Sequence, residues 1–562
     1  MYLNVPSTAT ILAILACSVA AVGPQGSRYM RDLRWAAEAG IDPQLILNND
    51  RDIRALISHS PNAGQGPKPE YTALPIDHDD PSIGTFQNRF WVSEEFYVPG
   101  GPIFVFDAGE SSGDVYLTHL TSNDSFFKQM LKDFNAMGVL WENRYYGGSR
   151  PFPIHFNMPP EQLQYLTTKQ ALEDLPQFAK TFSRPNYPDV DLRPESTPWI
   201  MVGGSYAGVR AAITRQEYPN TIYAAYASSA PVEAQIDFST YFENVYRGME
   251  ANGLGNCLQN LQAALRYIDD QLDQEETASI VKRMFFGPGA ENNTNEGFTA
   301  ALVHQYDSFQ DYGVSGPAGS SLQDLCSHLE DPSKTNQTAK GARDTLRHDG
   351  GKVAAERWAS WSPLVSIVNY NMATNCKQLN TNISLSCNLS QPSFDPDMIA
   401  WSWQYCTEWG FYQSNNFGPH ALLSKYQTLE YQQDICNRQF PEALKRGILP
   451  NEPAVDATNA QFGGWRIRPS NTFFSVGEFD PWTLQSVLSD SALTAENTAW
   501  SSNIPECGET DEDHIFAYKL KNSMHCFDFQ PGKGQEANAL FRAALGQWLP
   551  CFKGQGLSSG RS

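Results

Sequence analysis

The sequence predicts an α/β fold: a mostly parallel sheet with helices on both faces, carrying a large, mainly helical insertion. Two patterns predict it. Short apolar runs alternate with helix-like segments over residues 86–231 and again over 472–549, as strands joined by crossover helices do. Between them, residues 235–424 turn helical and carry five of the ten cysteines. A chain of 562 residues has room for two such units.

The elements follow in order. Residues 86–92 alternate as a half-buried strand, and the chain then breaks at Pro99-Gly-Gly-Pro102. Ile103-Phe-Val-Phe106 is a short buried strand running into the loop Asp107-Ala-Gly-Glu-Ser-Ser-Gly113. A helix over 126–134 leads to the strand Gly138-Val-Leu-Trp141, and a helix over 172–182 precedes the apolar run 198–202. In the insertion, helices are expected over 258–272, 278–285 and 353–361. The sheet pattern resumes at 472–476 and 515–520, and a helix over 535–549 closes the chain.

The informative stretch is Trp199-Ile-Met-Val-Gly-Gly-Ser-Tyr-Ala-Gly208. An apolar strand meets two glycines, then Ser205, then a segment able to be helical as far as Tyr218, before Pro219. This is the grammar of a nucleophile elbow, in which a sharp strand-to-helix turn projects the serine hydroxyl. The following N–H and the positive end of the helix point at the same space. Glycines flank such a serine because a Cβ would collide with the neighbouring strand or helix. The usual glycine two residues after the serine is Ala207 here.

Bulk properties narrow the setting. A formal net charge of −22 argues against a nucleic-acid partner, which needs a basic surface. That acidity suits a low-pH environment, and plain solubility accounts for it equally well. No internal run is long enough to cross a membrane. Residues 8–21 read as a secretory signal ending in small residues, although no Lys or Arg precedes them. Its removal would leave nine cysteines, which pair in an oxidising compartment and leave one thiol free. No C-x-x-C and no Cys/His ligand spacing is present, so neither a metal nor a cofactor is expected. N-x-S/T sequons at Asn123, Asn292, Asn336, Asn382 and Asn388 favour a glycosylated, secreted or vacuolar-lysosomal protein. The expected layout is signal 1–21, an N-terminal arm or prosegment 22–70, core 71–234, helical cap 235–424, core 425–552 and a flexible tail 553–562.

A serine hydroxyl needs a base, an acid that orients the base, and donors for the oxyanion. In an α/β-hydrolase the order along the chain is Ser, acid, His, each on a loop after a strand. Asp480 follows the strand-and-turn Val476-Gly-Glu-Phe-Asp480, and His525 follows the strand 515–520. Glu478 competes for the acid, whereas Asp528 comes after the histidine and breaks the order. The long gap between Ser205 and Asp480 is filled by the cap. The oxyanion donors are expected to be the N–H of Tyr206 and an amide of Gly109 or Glu110 in the 107–110 loop.

With these residues in view, the chain resembles the serine peptidases that include lysosomal Pro-X carboxypeptidase, dipeptidyl peptidase II, thymus-specific serine protease and fungal acid prolyl endopeptidase. The resemblance runs over most of residues 76–550. It is carried by Gly84-Thr-Phe-Gln-Asn-Arg-Phe-Trp91, Gly100-Gly-Pro-Ile-Phe104, Glu142-Asn-Arg-Tyr-Tyr-Gly147, Tyr165-Leu-Thr-Thr-Lys-Gln-Ala171, Val202-Gly-Gly-Ser-Tyr206, Ser228-Ser-Ala-Pro-Val232, Cys406-Thr-Glu408, Asp480-Pro-Trp482 and His525. It implies an α/β-hydrolase core with a helical cap, a Ser205-Asp480-His525 triad, and cleavage of peptide or protein substrates after proline, often at acidic pH. Asn143 departs from the histidine common in that family, and the 107–111 loop departs from its usual wording.

A proline pocket should be apolar and flat-walled, so Trp403, Trp409, Phe411 and Trp482 are candidate linings. Glu408 could hold a substrate amine. Exopeptidase and endopeptidase modes stay open, as does the oligomeric state. A carboxylesterase or lipase on the same fold is the alternative, as is an inactive binding protein.

Overall fold

The computed structural model describes residue 32 and residues 66–552, apart from 317–318, 335–349, 379–385, 417, 490–498, 512 and 531. The expected signal, the tail, most of the arm, and the sequons at Asn336 and Asn382 lie outside the described residues.

Nine strands form one sheet: β1 (Glu70–Pro75), β2 (Thr85–Ser93), β3 (Ile103–Asp107), β4 (Met137–Trp141), β5 (Trp199–Gly204), β6 (Ala224–Ser228), β9 (Thr472–Gly477), β10 (Ala499–Ser501) and β11 (His514–Leu520). Their spatial order is β1-β2-β4-β3-β5-β6-β9-β11-β10. β1–β2 and β2–β4 pair antiparallel, and every other pair is parallel. β3, β4, β5, β6 and β9 are buried along their whole length, which explains why they read as continuous apolar runs. β1 and β10 were not expected. Each carries polar or exposed side chains at a sheet edge, so neither has a run of apolar residues to mark it.

The helices labelled here are α1 (Phe126–Asp133), α2 (Thr168–Ala179), α3 (Tyr206–Glu217), α4 (Tyr241–Ala251), α5 (Gly255–Leu272), α6 (Gly350–Ser360), α7 (Pro396–Gln404) and α8 (Gln535–Trp548). Alternate residues of each strand feed two cores. Phe104, Phe106, Ile200 and Val202 pack with α1 and α8 on one face. Ile103, Val105, Trp199 and Met201 pack with Leu175 and Phe178 of α2 on the other.

Helices fill most of the segment between β6 and β9, as expected for an insertion. A two-stranded parallel ladder, β7 (Gln235–Asp237) with β8 (Gly410–Tyr412), joins distant parts of it. Three disulfides staple the region: Cys257–Cys326, Cys376–Cys387 and Cys406–Cys436. A fourth, Cys507–Cys551, ties the loop before β11 to the segment after α8. The expected free thiol is not found: no described cysteine is free. The parity count excluded Cys17 along with the signal, whereas the whole chain has an even ten.

Candidate active site

Ser205 is the residue between β5 and α3, with φ +58° and ψ −130°. A side chain at positive φ costs roughly 1–3 kcal/mol, so its surroundings must hold it there. Its N–H donates to the Ser228 carbonyl at the end of β6 (2.8 Å), and its own carbonyl accepts from Val209 N–H (3.0 Å). The glycines explain the tightness of the turn. A Cβ on Gly203 would lie 2.2 Å from the Ala207 carbonyl oxygen, and one on Gly208 would lie 2.7 Å from that of Ser228. Close approach to β6 falls on Gly208, which is why Ala207 is tolerated.

Asp480 and His525 meet in the interior, with His525 Nδ1 2.9 Å from Asp480 Oδ1. The same Oδ1 accepts from Trp482 N–H (2.9 Å). An ionised Asp480 at this distance puts the imidazole proton on Nδ1 and leaves Nε2 as a proton acceptor. Nε2 and Ser205 Oγ are both buried and have no hydrogen-bond partner, so they are not bonded to each other. They nonetheless belong to one junction: the Ser228 carbonyl that accepts Ser205 N–H is also 3.9 Å from Sγ of Cys526, the residue after the histidine. Contacts of this kind commonly tighten when substrate arrives. Of the competing carboxylates, Glu478 accepts from Asn522 N–H, and Asp528 accepts three hydroxyl protons.

The 107–110 loop is bound to the elbow helix. Arg210, one turn into α3, donates Nε–H to both Asp107 oxygens (3.2 and 3.0 Å), and the pair is buried. Gly109 N–H donates to Asp107 Oδ1 (2.7 Å). This corrects one expectation: the Gly109 donor is spent inside its own loop, leaving Glu110 as the candidate of the two. The first N–H groups of α3, Tyr206 included, have no partner within the helix.

Aromatic rings run from the serine side to the histidine side. Ring centroids are 5.8 Å apart for Tyr206–Trp409, 5.8 Å for Trp409–Phe411, 5.1 Å for Phe411–Trp482 and 6.4 Å for Trp482–His525. Trp403 is not part of this arc and packs on Phe440 instead (5.2 Å). Trp401, two residues earlier on α7, is the one beside Tyr206 (5.5 Å).

Glu408 lies in a single π-turn, Tyr405–Trp409, after α7. Its carboxylate accepts from Thr168 N–H (3.0 and 3.2 Å) and from Thr168 Oγ1–H (2.8 Å). Thr168 Oγ1 also accepts from Trp409 Nε1–H (3.0 Å) and is 3.3 Å from the Tyr206 hydroxyl. Enclosure by protein pushes the Glu408 carboxyl up to about 7, against the pull of the Thr168 hydrogen bonds. The residue as a whole is part-buried.

Sequence reasoning missed the residues that brace the pair from the inserted segment. Gln310 accepts His525 N–H on its carbonyl (3.1 Å) and Trp482 Nε1–H on its side chain (2.9 Å). Asn244 of α4 donates to the Asp480 carbonyl (2.8 Å). An isolated Gln or Asn in a helical stretch carries no signal of such a contact. Among the described sequons, Asn123, Asn292 and Asn388 are exposed.

The parallel sheet, the serine at the β5–α3 turn and the acid–histidine pair after β9 and β11 define an α/β-hydrolase. The model of the family described as serine carboxypeptidase S28 matches residues 75–544, and the chain belongs to that family. It is 27% identical to the "Probable extracellular serine carboxypeptidase" of Arthroderma benhamiae over 80% of this chain and 63% of that protein. It is 28% identical to the human thymus-specific serine protease over 81% of this chain and 80% of that one. A solved proline iminopeptidase from Mycobacterium smegmatis overlaps with a TM-score of 0.32 and 10% identity, over 86% of this chain and 100% of that chain.

Three outcomes follow from this geometry. Gly203→Ala should lower stability by roughly 1–3 kcal/mol, read by thermal melting, because the new methyl meets backbone rather than a movable side chain. Asp480→Asn should lower kcat by about 10⁴-fold with the fold intact, because the histidine is then held in the wrong tautomer. Glu408 binds its proton more tightly folded than unfolded, so its contribution to stability is full below its ordinary value of 4.5 and is lost as pH rises toward about 7. Glu408→Gln should therefore flatten the fall in Tm across that window, measured by melting at a series of pH values.

Proposed function

We propose that the protein is a secreted or vacuolar-lysosomal serine peptidase that hydrolyses peptide bonds on the carboxyl side of proline. The observation that carries this reading is the buried contact of His525 Nδ1 with Asp480 Oδ1 (2.9 Å), with Nε2 and the hydroxyl of the elbow serine both buried and unpartnered. His525 Nε2 takes the Ser205 proton as Oγ attacks the substrate carbonyl carbon, and Asp480 stabilises the resulting imidazolium. The Tyr206 and Glu110 N–H groups hold the oxyanion. The imidazolium then gives its proton to the leaving amine, and an acyl-enzyme remains. Water, deprotonated by the same imidazole, attacks the ester and returns the serine.

The arc of Trp409, Phe411 and Trp482 offers flat apolar faces between serine and histidine, the kind of wall on which a pyrrolidine ring stacks. Trp403 supports this region from the far side of α7. Glu408, part-buried in the turn beside Trp409, is the candidate contact for a substrate amine. Residues 235–424 act as a cap over the core, since Gln310 and Asn244 reach from them to the acid and the base. The four disulfides, the exposed sequons and the printed name of the fungal relative support an oxidising, extracytoplasmic setting.

Ser205→Ala should abolish turnover of proline-containing peptides, by about 10⁴-fold or more, with an unchanged melting curve. Retained activity would overturn the assignment. Digestion of peptides with free and blocked ends, read by mass spectrometry, should give fragments ending in proline. New C-termini formed at other residues would contradict the proline reading.

A further inference from the structure

The sequence places an aspartate three residues after His525, where it breaks the order required of a triad acid. In the fold, Asp528 lies in the one-turn segment Phe527–Phe529 and is 2% exposed. It accepts three hydroxyl protons. Ser228 Oγ donates to Oδ1 (2.6 Å), while Tyr226 Oη and Ser475 Oγ both donate to Oδ2 (2.5 Å each). Its carbonyl accepts from Asn538 Nδ2 of α8 (2.9 Å).

Those donors stand at particular places. Ser228 and Ser475 are register partners at the adjacent ends of β6 and β9. The Ser228 carbonyl is the acceptor that holds Ser205 N–H (2.8 Å). Two residues beyond Ser475, the Gly477 carbonyl accepts Asp480 N–H (3.3 Å). Ser229 donates its N–H to the Ser475 carbonyl (2.7 Å), and its Oγ accepts from Cys526 N–H (2.8 Å), next to the histidine. Asp528 is thus one bond from the strand end that fixes the nucleophile, one bond from the strand that leads to the acid, and on the same loop as the base.

The side-chain type matters. An ionised carboxylate is acceptor-only and can take several hydroxyl protons without offering one back. Such bonds to a charged acceptor are short and strong, and in a dry interior they fix geometry. An asparagine would turn an N–H₂ toward one of the hydroxyl donors and force it to reorient. A hydrophobic residue would leave the Ser228 and Ser475 hydroxyls without this acceptor, and Tyr226 Oη with only Asn538 Oδ1 (3.3 Å).

We propose that Asp528 is a positioning residue that ties the strand ends carrying Ser205, Asp480 and His525 into one unit. It touches neither the substrate nor the imidazole and acts through Ser228, Ser475 and the loop backbone. This rests on the triad reading above.

The test uses the full chain and a fluorophosphonate probe. The phosphonylation rate per competent site is measured, with competent sites counted by mass spectrometry at the end point. Asp528→Asn should react about 10- to 100-fold more slowly per competent site, because misplacement on the order of 1 Å costs that much. Ser475→Ala, which removes one donor and keeps the carboxylate, should slow labelling by a smaller factor, and it decides the matter should Asp528→Asn not fold. A purely structural role would give fewer competent sites, each reacting at the wild-type rate. Wild-type per-site rates in both variants, or in Ser475→Ala alone where Asp528→Asn yields no folded protein, would overturn the proposal. Ser205→Ala run alongside separates the two readings: labelling that survives there sinks the triad itself, whereas its loss with normal rates at 528 and 475 sinks only the positioning role.

Discussion

The backbone of Ser205 sits where an L-residue is strained, and the hydrogen bond from its N–H to the Ser228 carbonyl helps keep it there. Much of the candidate site follows from that constraint. The turn is tight enough to need glycine at 203 and at 208, where a Cβ would meet backbone on one side and β6 on the other. It turns the start of α3 toward the same space as the hydroxyl. Arg210, one turn further on, then reaches Asp107 and ties the 107–110 loop to α3. Strain at one residue is offset by packing of the two strands and the helix around it.

The proposed acid and base, Asp480 and His525, come from the far half of the chain, after β9 and β11. β9 is the parallel neighbour of β6 and β11 the parallel neighbour of β9, so their C-terminal ends open onto the same edge as the elbow. The inserted segment adds the remaining restraints through Gln310 and Asn244, so the acid–histidine pair is shielded as well as held. In such surroundings an ion pair forming during proton transfer is worth more than it would be in water. The rings of Trp409, Phe411 and Trp482 run from Tyr206 to His525, the wall on which the proposed proline specificity rests.

Much of this could be read from the residues. The central strands are buried on both faces and therefore appear as unbroken apolar runs, and the elbow announces itself through its glycines. The proposed order Ser205, Asp480, His525 rests only on the strands that precede each. Other features had no local trace. β1 and β10 are edge strands with polar or exposed faces, and β7–β8 is a three-residue ladder between distant segments. Trp401 and Trp403 are two apart on one helix, so their side chains point to different sides, and only packing decides which meets Tyr206. The Gly109 donor was lost to a contact with Asp107 two residues away. The leftover thiol followed from setting Cys17 aside with the signal, whereas no described cysteine is free.

The most direct test is a crystal structure of the protein after reaction with a fluorophosphonate. The account predicts phosphorus bonded to Ser205 Oγ, the phosphonyl oxygen within about 3 Å of the Tyr206 and Glu110 amides, and His525 Nε2 turned toward the adduct. An adduct on another residue, or an imidazole of 525 facing away with its Asp480 contact broken, would contradict it.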